Sequence, residues 1–567
     1  EPLYEACLDR MKAFMLEWSQ AKRVPHPNFY EKFASVIAHV EKHVNEKYFI
    51  YKSIIIRNLY GVDIMDEAVE ICKLRLFLKL AAQIEPDYGQ DNLGIEPLPD
   101  IDFNVRAGNT LIGFATEKQA KDVIQQDLLA YNTVWPEVQR DAKKVAELFG
   151  LFRRQQTEMS GAVSSEHKAR LREKLTSLEE RLNAYLADTY GVTKKNAQKE
   201  WVASHKPFHW FIEFYEIMAN GGFDVIIGNP PYVEYSKVRD HYTLPRSIYT
   251  TETCGNLYAF VVERCLILSA ADGRQGFILP TSSISTERMN KLQDLLHTTG
   301  LIHSTYGFRP SKLFEGGANI HLSILLLGRS LGTCPHALHH IKWNAEYRPY
   351  LFQAMPMYSK TDIDLIRHFK KIPRLANHLH HNVLRKMLRQ SFMERAFTSS
   401  KFRVYYRTTG GLHYRVFTVF STKSRKEAAI AFQSSTFRDV AFCAYASNLW
   451  NMFYYTYANC LDVSQFEVNK FPIGIAEMTN LHVSNLAMIA KELDQDLRKN
   501  AHAEVRHYKD QGDIDCYTVE MRESKPIIDK IDRALAKHYG FTEEELDFII
   551  NYDIKYRMGK GEADEDE

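Results

Sequence analysis

The run Asn229-Pro230-Pro231-Tyr232 is the part of the chain best equipped for chemistry. An asparagine side-chain carbonyl is a hydrogen-bond acceptor. The proline after it offers a second acceptor on a stiffened backbone that has no N–H. Two residues further on, an aromatic ring provides a flat face for stacking. The exocyclic amino nitrogen of a nucleobase is a poor nucleophile, because its lone pair is delocalised into the ring. Two acceptors aimed at its two hydrogens draw it toward tetrahedral geometry and localise that lone pair, while the aromatic face holds a base taken out of its stack. Such a site works by orientation and aimed dipoles rather than by a strong base. The bland reading is a proline turn closing a strand. The apolar run Phe223-Asp-Val-Ile-Ile227 and Gly228 directly precede the four residues. They are therefore expected at the carboxyl end of a strand, where open α/β sheets bind ligands.

An α/β frame must hold that turn. Residues 1–50 read as amphipathic helices. Ser53-Ile-Ile-Ile56 reads as an apolar β-run leading into Asn58-Leu-Tyr-Gly-Val-Asp-Ile64, and residues 66–82 carry helical periodicity. Residues 102–106 form the next expected strand, followed by Gly108-Asn109-Thr110-Leu111-Ile112. Strand, turn, helix and strand in succession predict a parallel sheet. Residues 116–205 are rich in Lys, Glu, Gln and Ala, interrupted near Ser160–Ser165, and read as a helical insertion with solvated charged faces. The α/β pattern resumes at Phe223 with an expected helix over 257–271, then strands over 276–280 and 320–327. The expected divisions are 1–115 and 206–330 for the α/β part, 116–205 for the insertion, 331–475 for a basic module and 476–567 for a helical end. In that last part Thr542 and Glu545 are spaced as a capping box, and residues 562–567 form an acidic tail.

Several segments together resemble the γ-class N6-adenine DNA methyltransferases, the TaqI-like enzymes and the methylase part of type IIG restriction–modification enzymes. Besides Asn229-Pro230-Pro231-Tyr232, these are Gly61-Val-Asp63-Ile64, Gly108-Asn109-Thr110-Leu111, Asn256-Leu-Tyr-Ala-Phe260, Gly276-Phe-Ile-Leu-Pro280 and Leu313-Phe314-Glu-Gly-Gly-Ala-Asn-Ile320. The resemblance implies a Rossmann-like methyltransferase sheet with a helical insertion, a mixed α+β DNA-recognition domain and a helical tail. It implies methyl transfer from S-adenosylmethionine to adenine N6 in double-stranded DNA, as part of a prokaryotic, cytoplasmic restriction–modification or phage-defence system. Asn229, Pro230 and Tyr232 would be catalytic, with Tyr232 and Phe314 stacking on the base. Asp63 would accept hydrogen bonds from the cofactor ribose, and Ile64 would pack on its adenine. Asn109, where the family usually has Asp, would meet the adenine amino group with its carbonyl; Thr110 and Asn229 complete the expected cofactor set. The family's Gly-rich cofactor turn has no counterpart here, because residues 1–60 contain no glycine. The chain, which opens on Glu1 rather than Met, is thus expected to be truncated before that motif, its first strand missing, and to be inactive alone. Further defence-system subunits or an upstream nuclease domain are the partners the resemblance suggests.

Elsewhere the chain is ordinary. Its 567 residues exceed one core, 45% are hydrophobic and 25% charged, and the net charge is only +1, so any nucleic-acid surface must be local. From Lys360 to Lys426 there are sixteen Lys or Arg against three Asp or Glu. Arg403, Arg407 and Arg415 in that stretch, with Gly410 and Gly411 between them, are the expected DNA-binding residues, suited to phosphates and base edges. The eight cysteines form no C-x-x-C pair, which favours reduced thiols over disulfides or zinc. The histidine groups His336, His339, His340 and His378, His380, His381 have no carboxylate or thiol in a ligand spacing, so they read as surface or DNA-facing and no metal is expected. No apolar run is long enough to span a membrane. Two alternatives stand beside this reading. One is a DNA-recognition fragment without activity; the other is an enzyme acting on protein glutamine or RNA, since those families share the same turn.

Overall fold

Apolar residues at helical spacing dominate the first 220 positions, and strands become frequent only beyond Phe223. The computed structural model describes the chain except residues 1, 21–25, 43–44, 90–92, 94, 96, 127, 159–164, 245–247, 315–318, 333, 352–357, 410–413, 509–511 and 559–567. It is mixed α/β with helix in the majority. Two compact units emerge: one of Glu1–Phe223, Ser236–Ile248 and Leu266–Leu268, the other of Asp224–Tyr235, Tyr249–Cys265 and Ser269–Glu567.

In the first unit, β1 (Gly61–Asp63) and β2 (Val105–Ala107) run parallel, with Gly61 opposite Val105 and Asp63 opposite Ala107. The helix Asp66–Ala81 lies between them in sequence, as a parallel pair requires. Two expectations are corrected here. Ser53–Ile56 is not a strand but the end of the helix Glu46–Asn58. Of its buried residues, Tyr48, Lys52, Ile55 and Ile56 recur at helical spacing and Ile50 and Ser53 are buried besides, and that burial outweighs the β-preference of three consecutive isoleucines. Residues 102–104 form a turn, so the strand starts only at Val105. There Asp102 lies 3.0 Å from Lys73 and 2.7 Å from Lys168. The Lys- and Glu-rich stretch is helical, and Leu171, Leu175, Leu178, Leu182 and Leu186 form the buried stripe of Ser165–Thr189. Of its expected interruption at Ser160–Ser165, residues 160–164 lie outside the described residues and Ser165 opens the helix Ser165–Thr189.

The second unit contains a six-stranded sheet of β3 (Phe223–Gly228), β4 (Ser269–Pro280), β5 (Leu301–Tyr306), β6 (Leu322–Leu327), β7 (His336–Ile341) and β8 (Ser359–Lys360). Their order is β3-β4-β6-β5-β7-β8. This sheet is mixed: β5 and β7 are parallel, but β6 runs antiparallel to both β4 and β5, and β8 antiparallel to β7. Between β5 and β6 no helix occurs among the described residues, so no crossover forms and the chain turns back on itself. A second sheet places β9 (Phe397–Arg407) between β10 (Phe417–Thr418) and β11 (Glu427–Phe432), both antiparallel to it. A hairpin joins β12 (His502–Tyr508) and β13 (Gly512–Thr518). One apolar core ties the β9 sheet to the helices that follow, through Val404, Phe417, Tyr445, Trp450, Leu486 and Ile531. Thr542 caps the helix Glu543–Asn551 through the expected box: its hydroxyl accepts from Glu545 N–H at 3.2 Å, and the Glu545 carboxylate accepts from Thr542 N–H at 2.8 Å.

The histidine expectation also changes. His340 and His380 are buried, whereas His378 is exposed. The His380 ring accepts from Ala376 N–H and meets the Thr456 hydroxyl at 2.8 Å, as a core residue would. His339 and His340 fall on opposite faces of β7, and His378 and His380 on opposite sides of their helix, which a count of histidines cannot show.

Candidate functional site

The turn Asn229–Tyr232 follows β3 directly. Asn229 and Pro231 are exposed, Pro230 is buried and Tyr232 is half-buried, so the turn is anchored by one proline and one ring while the amide faces outward. At Gly228 a side chain would meet only the edge of the Phe277 ring, at 3.7 Å. Tyr232 Oη lies 2.7 Å from the Asn229 side-chain oxygen and 2.8 Å from the Ile278 carbonyl oxygen on β4. Burial pushes its phenol up to about 12, so it stays protonated at any ordinary pH. The ring stands edge-to-face against Tyr258, with centroids 6.4 Å apart.

Chain segments around Asn256 hold the far side of the turn. Leu257 N–H donates to Val233 O at 2.9 Å, and Tyr235 N–H to Gly255 O at 2.9 Å. The Glu234 carboxylate accepts from Arg288, and from the Asn256 amide at 3.4 Å. Asn256 also caps the helix Leu257–Leu268. The Glu234–Arg288 pair was not singled out from sequence: the partners stand 54 positions apart and no local spacing links them. Phe314 is 40% exposed. Arg348 holds the backbone just before it, donating to Leu313 O at 3.0 Å and Lys312 O at 2.6 Å. Glu315 to Ala318 lie outside the described residues.

The other candidates sit in the first unit. Asp63 ends β1 with an exposed carboxylate; one oxygen accepts from Met65 N–H at 2.8 Å, leaving the other to solvent. Ile64, beside it, is 39% exposed. Asn109 has one of its two carbonyl lone pairs engaged by the turn. It is buried, and its carbonyl accepts from Leu111 N–H at 3.1 Å, closing a turn. Its Nδ2 is a buried donor with no partner. The Thr110 carbonyl accepts from the Trp210 indole at 3.4 Å.

Residues 206–214 clamp this turn, a role missed in the sequence. Asn109 N–H donates to Lys206 O at 2.7 Å, Phe208 N–H to Ile112 O at 2.8 Å, and Phe114 N–H to the His209 ring at 3.2 Å. Glu213 is buried next to Arg106 at 2.8 Å, and Glu179 lies 3.3 Å from the same guanidinium. Burial pushes the Glu213 carboxyl well above the usual range against the pull of Arg106, so it keeps its proton beside Glu179. The aromatic cluster of Phe208, Trp210 and Phe214 was the available signal.

The basic stretch divides by strand parity. On β9, Val404 and Tyr406 are buried, and the opposite face carries Arg403, Tyr405 and Arg407. Arg403 is exposed and Arg407 half-buried; Ala431 stands opposite Arg403, Ala429 opposite Tyr405 and Glu427 opposite Arg407. Arg415 corrects the expectation. It is 7% exposed, donates to Tyr454 Oη at 2.9 Å and Cys460 O at 3.0 Å, and stacks over the Tyr454 ring. Beside it, Arg374 donates to the carbonyls of Tyr455 and Ala458 and satisfies the carboxyl end of the helix Asn448–Tyr457. Gly410 and Gly411 lie outside the described residues. Among the described residues no helix is long and apolar enough to cross a membrane, and no group of three or more His, Cys, Asp or Glu could hold a metal.

Residues 57–314 match the family described as Eco57I restriction-modification methylase. That segment runs from just before Asp63 to Phe314, so it contains the whole candidate set outside the basic stretch. A protein of Methanocaldococcus jannaschii described as "Putative type II restriction enzyme and methyltransferase" is 33% identical over 316 residues, covering 48% of this chain and 26% of its own length. The chain thus spans about a quarter of that relative. Among solved structures, the type IIL restriction-modification enzyme MmeI in complex with DNA is 11% identical over 92% of this chain and 78% of its own, with a TM-score of 0.37. The type IIG restriction endonuclease BpuSI is 8% identical over 93% and 82%, with a TM-score of 0.22. Likenesses this slight place no residue. The family match and the relative are both restriction–modification methylases by description.

Proposed function

We propose that the chain carries the catalytic and target-recognising parts of a γ-class, TaqI-like DNA methyltransferase that moves a methyl group from S-adenosylmethionine to adenine N6. The observation that carries this reading is the turn after β3: an outward-facing Asn229 amide, a buried Pro230 and a half-buried Tyr232 ring, inside the segment matched to a restriction-modification methylase. Asn229 and the Pro230 carbonyl would accept from the adenine amino group, Tyr232 would stack on the flipped base, and Phe314 would close over its other face.

S-adenosylmethionine, when bound, supplies a methyl group on a sulfonium. The donor set suits its nucleoside half. The free oxygen of Asp63 fits vicinal ribose hydroxyls, and exposed Ile64 beside it fits an adenine face. The orphaned Nδ2 of Asn109 and the turn through Thr110 fit an acceptor edge of that ring. The Rossmann-like arrangement of the sheet belongs to the same proposal, as does double-stranded DNA lying across Arg403 and Arg407. Arg415 takes no part in it.

The test is transfer of tritiated methyl from S-adenosylmethionine to DNA by the full-length protein, with the product nucleoside identified. Label in N6-methyladenine is expected, and Asn229→Ala should abolish it while DNA affinity in a gel shift stays within about twofold, since the amide acts on the transition state rather than on binding. Label on protein or RNA instead, or full activity in Asn229→Ala, would overturn the assignment.

A further inference from the structure

We propose that the Tyr232 hydroxyl is a positioning group that turns the Asn229 amide so that its oxygen, not its nitrogen, faces the substrate amino group. The proposal rests on the methyltransferase reading and assigns the phenol a role that stacking alone does not need. Tyr232 Oη stands between two acceptor oxygens, Asn229 Oδ1 at 2.7 Å and Ile278 O at 2.8 Å. A hydroxyl has a single hydrogen to donate. It cannot serve both.

The two neighbours differ in freedom. The Ile278 carbonyl belongs to β4, in register with Ile324 of β6, and cannot become a donor. Asn229 is exposed, and a half-turn of its amide exchanges oxygen for nitrogen at nearly unchanged shape. After that half-turn the phenol donates to Ile278 O, and Asn229 Nδ2 donates to the phenol oxygen. Two hydrogen bonds then form where the unrotated amide allows one, so the rotated state is favoured. Its consequence is chemical. Rotated, Asn229 presents Oδ1 outward, where it can accept from an amino group. Unrotated, it presents two N–H donors to an amino group that is itself a donor. The phenol therefore selects the productive orientation before the base arrives. Its burial keeps it protonated throughout, so this selection does not titrate in the working range. The bond to Ile278 also fixes the ring edge-to-face with Tyr258, leaving orientation and stacking to different atoms of one side chain.

The sequence alone assigned Tyr232 only a stacking face, which phenylalanine supplies equally. The position of the hydroxyl reverses that expectation. Tyr232→Phe in the full-length protein should lower kcat by about threefold to tenfold, the range set by one neutral hydrogen bond. KM for DNA, the rise in 2-aminopurine emission on binding, and the thermal midpoint should stay as in the wild type. The decisive arm uses Asn229→Asp, whose two ends are both acceptors, so orientation no longer matters. In that background Tyr232→Phe should change the residual rate by less than about twofold, giving a coupling between the two positions. Unchanged kcat in Tyr232→Phe overturns the proposal, as does an equal loss in the Asn229→Asp background. A parallel fall in thermal midpoint and DNA affinity would assign the hydroxyl to folding instead. If the wild type puts no label in N6-methyladenine, the underlying reading fails and this inference falls with it.

Discussion

Arg403 and Arg415 stand twelve residues apart in one basic stretch, yet only the first meets water. Strand parity explains the difference: on β9, Arg403 and Arg407 share the face opposite buried Val404 and Tyr406, whereas Arg415 follows the strand and enters the core. Reversing Arg403 and Arg407 to Glu should weaken DNA binding and flatten its salt dependence by about 0.9 in log–log slope for each phosphate no longer neutralised. Stability should hardly change at exposed Arg403, whereas at Arg407 the new carboxylate faces Glu427 and costs a few tenths to about 1 kcal/mol. Arg415→Ala should behave oppositely. It strips the Cys460 carbonyl and the Tyr454 hydroxyl of a buried donor, at a cost of about 2 kcal/mol or more in urea unfolding. A stable Arg415→Ala protein that no longer binds DNA would return Arg415 to the DNA-facing set. Sixteen cations could be counted in the sequence, but their faces could not, because parity depends on where β9 starts and stops. The turn at Asn109 is equally invisible in the sequence: its carbonyl accepts from Leu111 N–H and keeps one lone pair for a ligand.

Elements with strong local signals were legible. The strand before Asn229, the helix after Asp66 and the capping box at Thr542 each follow from residues within a few positions of one another. Ser53–Ile56 misled because its isoleucines favour strands locally, while burial along the helix, at Tyr48, Ile50, Lys52, Ser53, Ile55 and Ile56, imposes the helix. The antiparallel β6 was hidden for a related reason, since the sequence does not state which neighbours a strand will take. The clamp by residues 206–214 is long-range and was missed altogether, though one glycine betrays it. Gly113 has φ +120°, and a Cβ there would lie 2.1 Å from the Phe208 carbonyl oxygen. Neither the backbone nor that carbonyl can yield, because Phe208 N–H is bonded to Ile112 O at 2.8 Å. Gly113→Ala should therefore destabilise the clamp by about 2 kcal/mol or more. Hydrogen exchange should show faster opening at Phe208 and Asn109 and little change in the second unit. Wild-type protection at both amides would mean that the turn tolerates a side chain.

At the scale of the whole molecule, the buried histidines should decide how the protein meets acid. Burial is the largest cause holding four of them neutral: His303, His321 and His380 are lowered to about 3, and His340 is pushed well below its usual value. Arg374 adds to the effect at all four, Arg415 and Lys342 at His321, and Lys342 at His340. The sign follows from proton counting. The unfolded chain takes up a proton at each histidine near its ordinary value of 6.5, while the folded chain does not, so the stability is fully present above 6.5 and drains as pH falls toward 3. Each group contributes about 1.4 kcal/mol per pH unit within that window. Asp532 opposes them. Burial raises its carboxyl to about 7, so the fold binds a proton there that the unfolded chain has lost, and stability rises as pH falls from about 7 toward about 4. Four groups against one leave a net loss, large beside a typical folding stability of about 5–15 kcal/mol. The thermal midpoint of the second unit should accordingly fall steeply between about pH 6.5 and 5. His340→Gln should shallow that slope by about one proton. A midpoint flat from about pH 7 to 5 would mean that these rings are already charged, or reach solvent, in the folded protein.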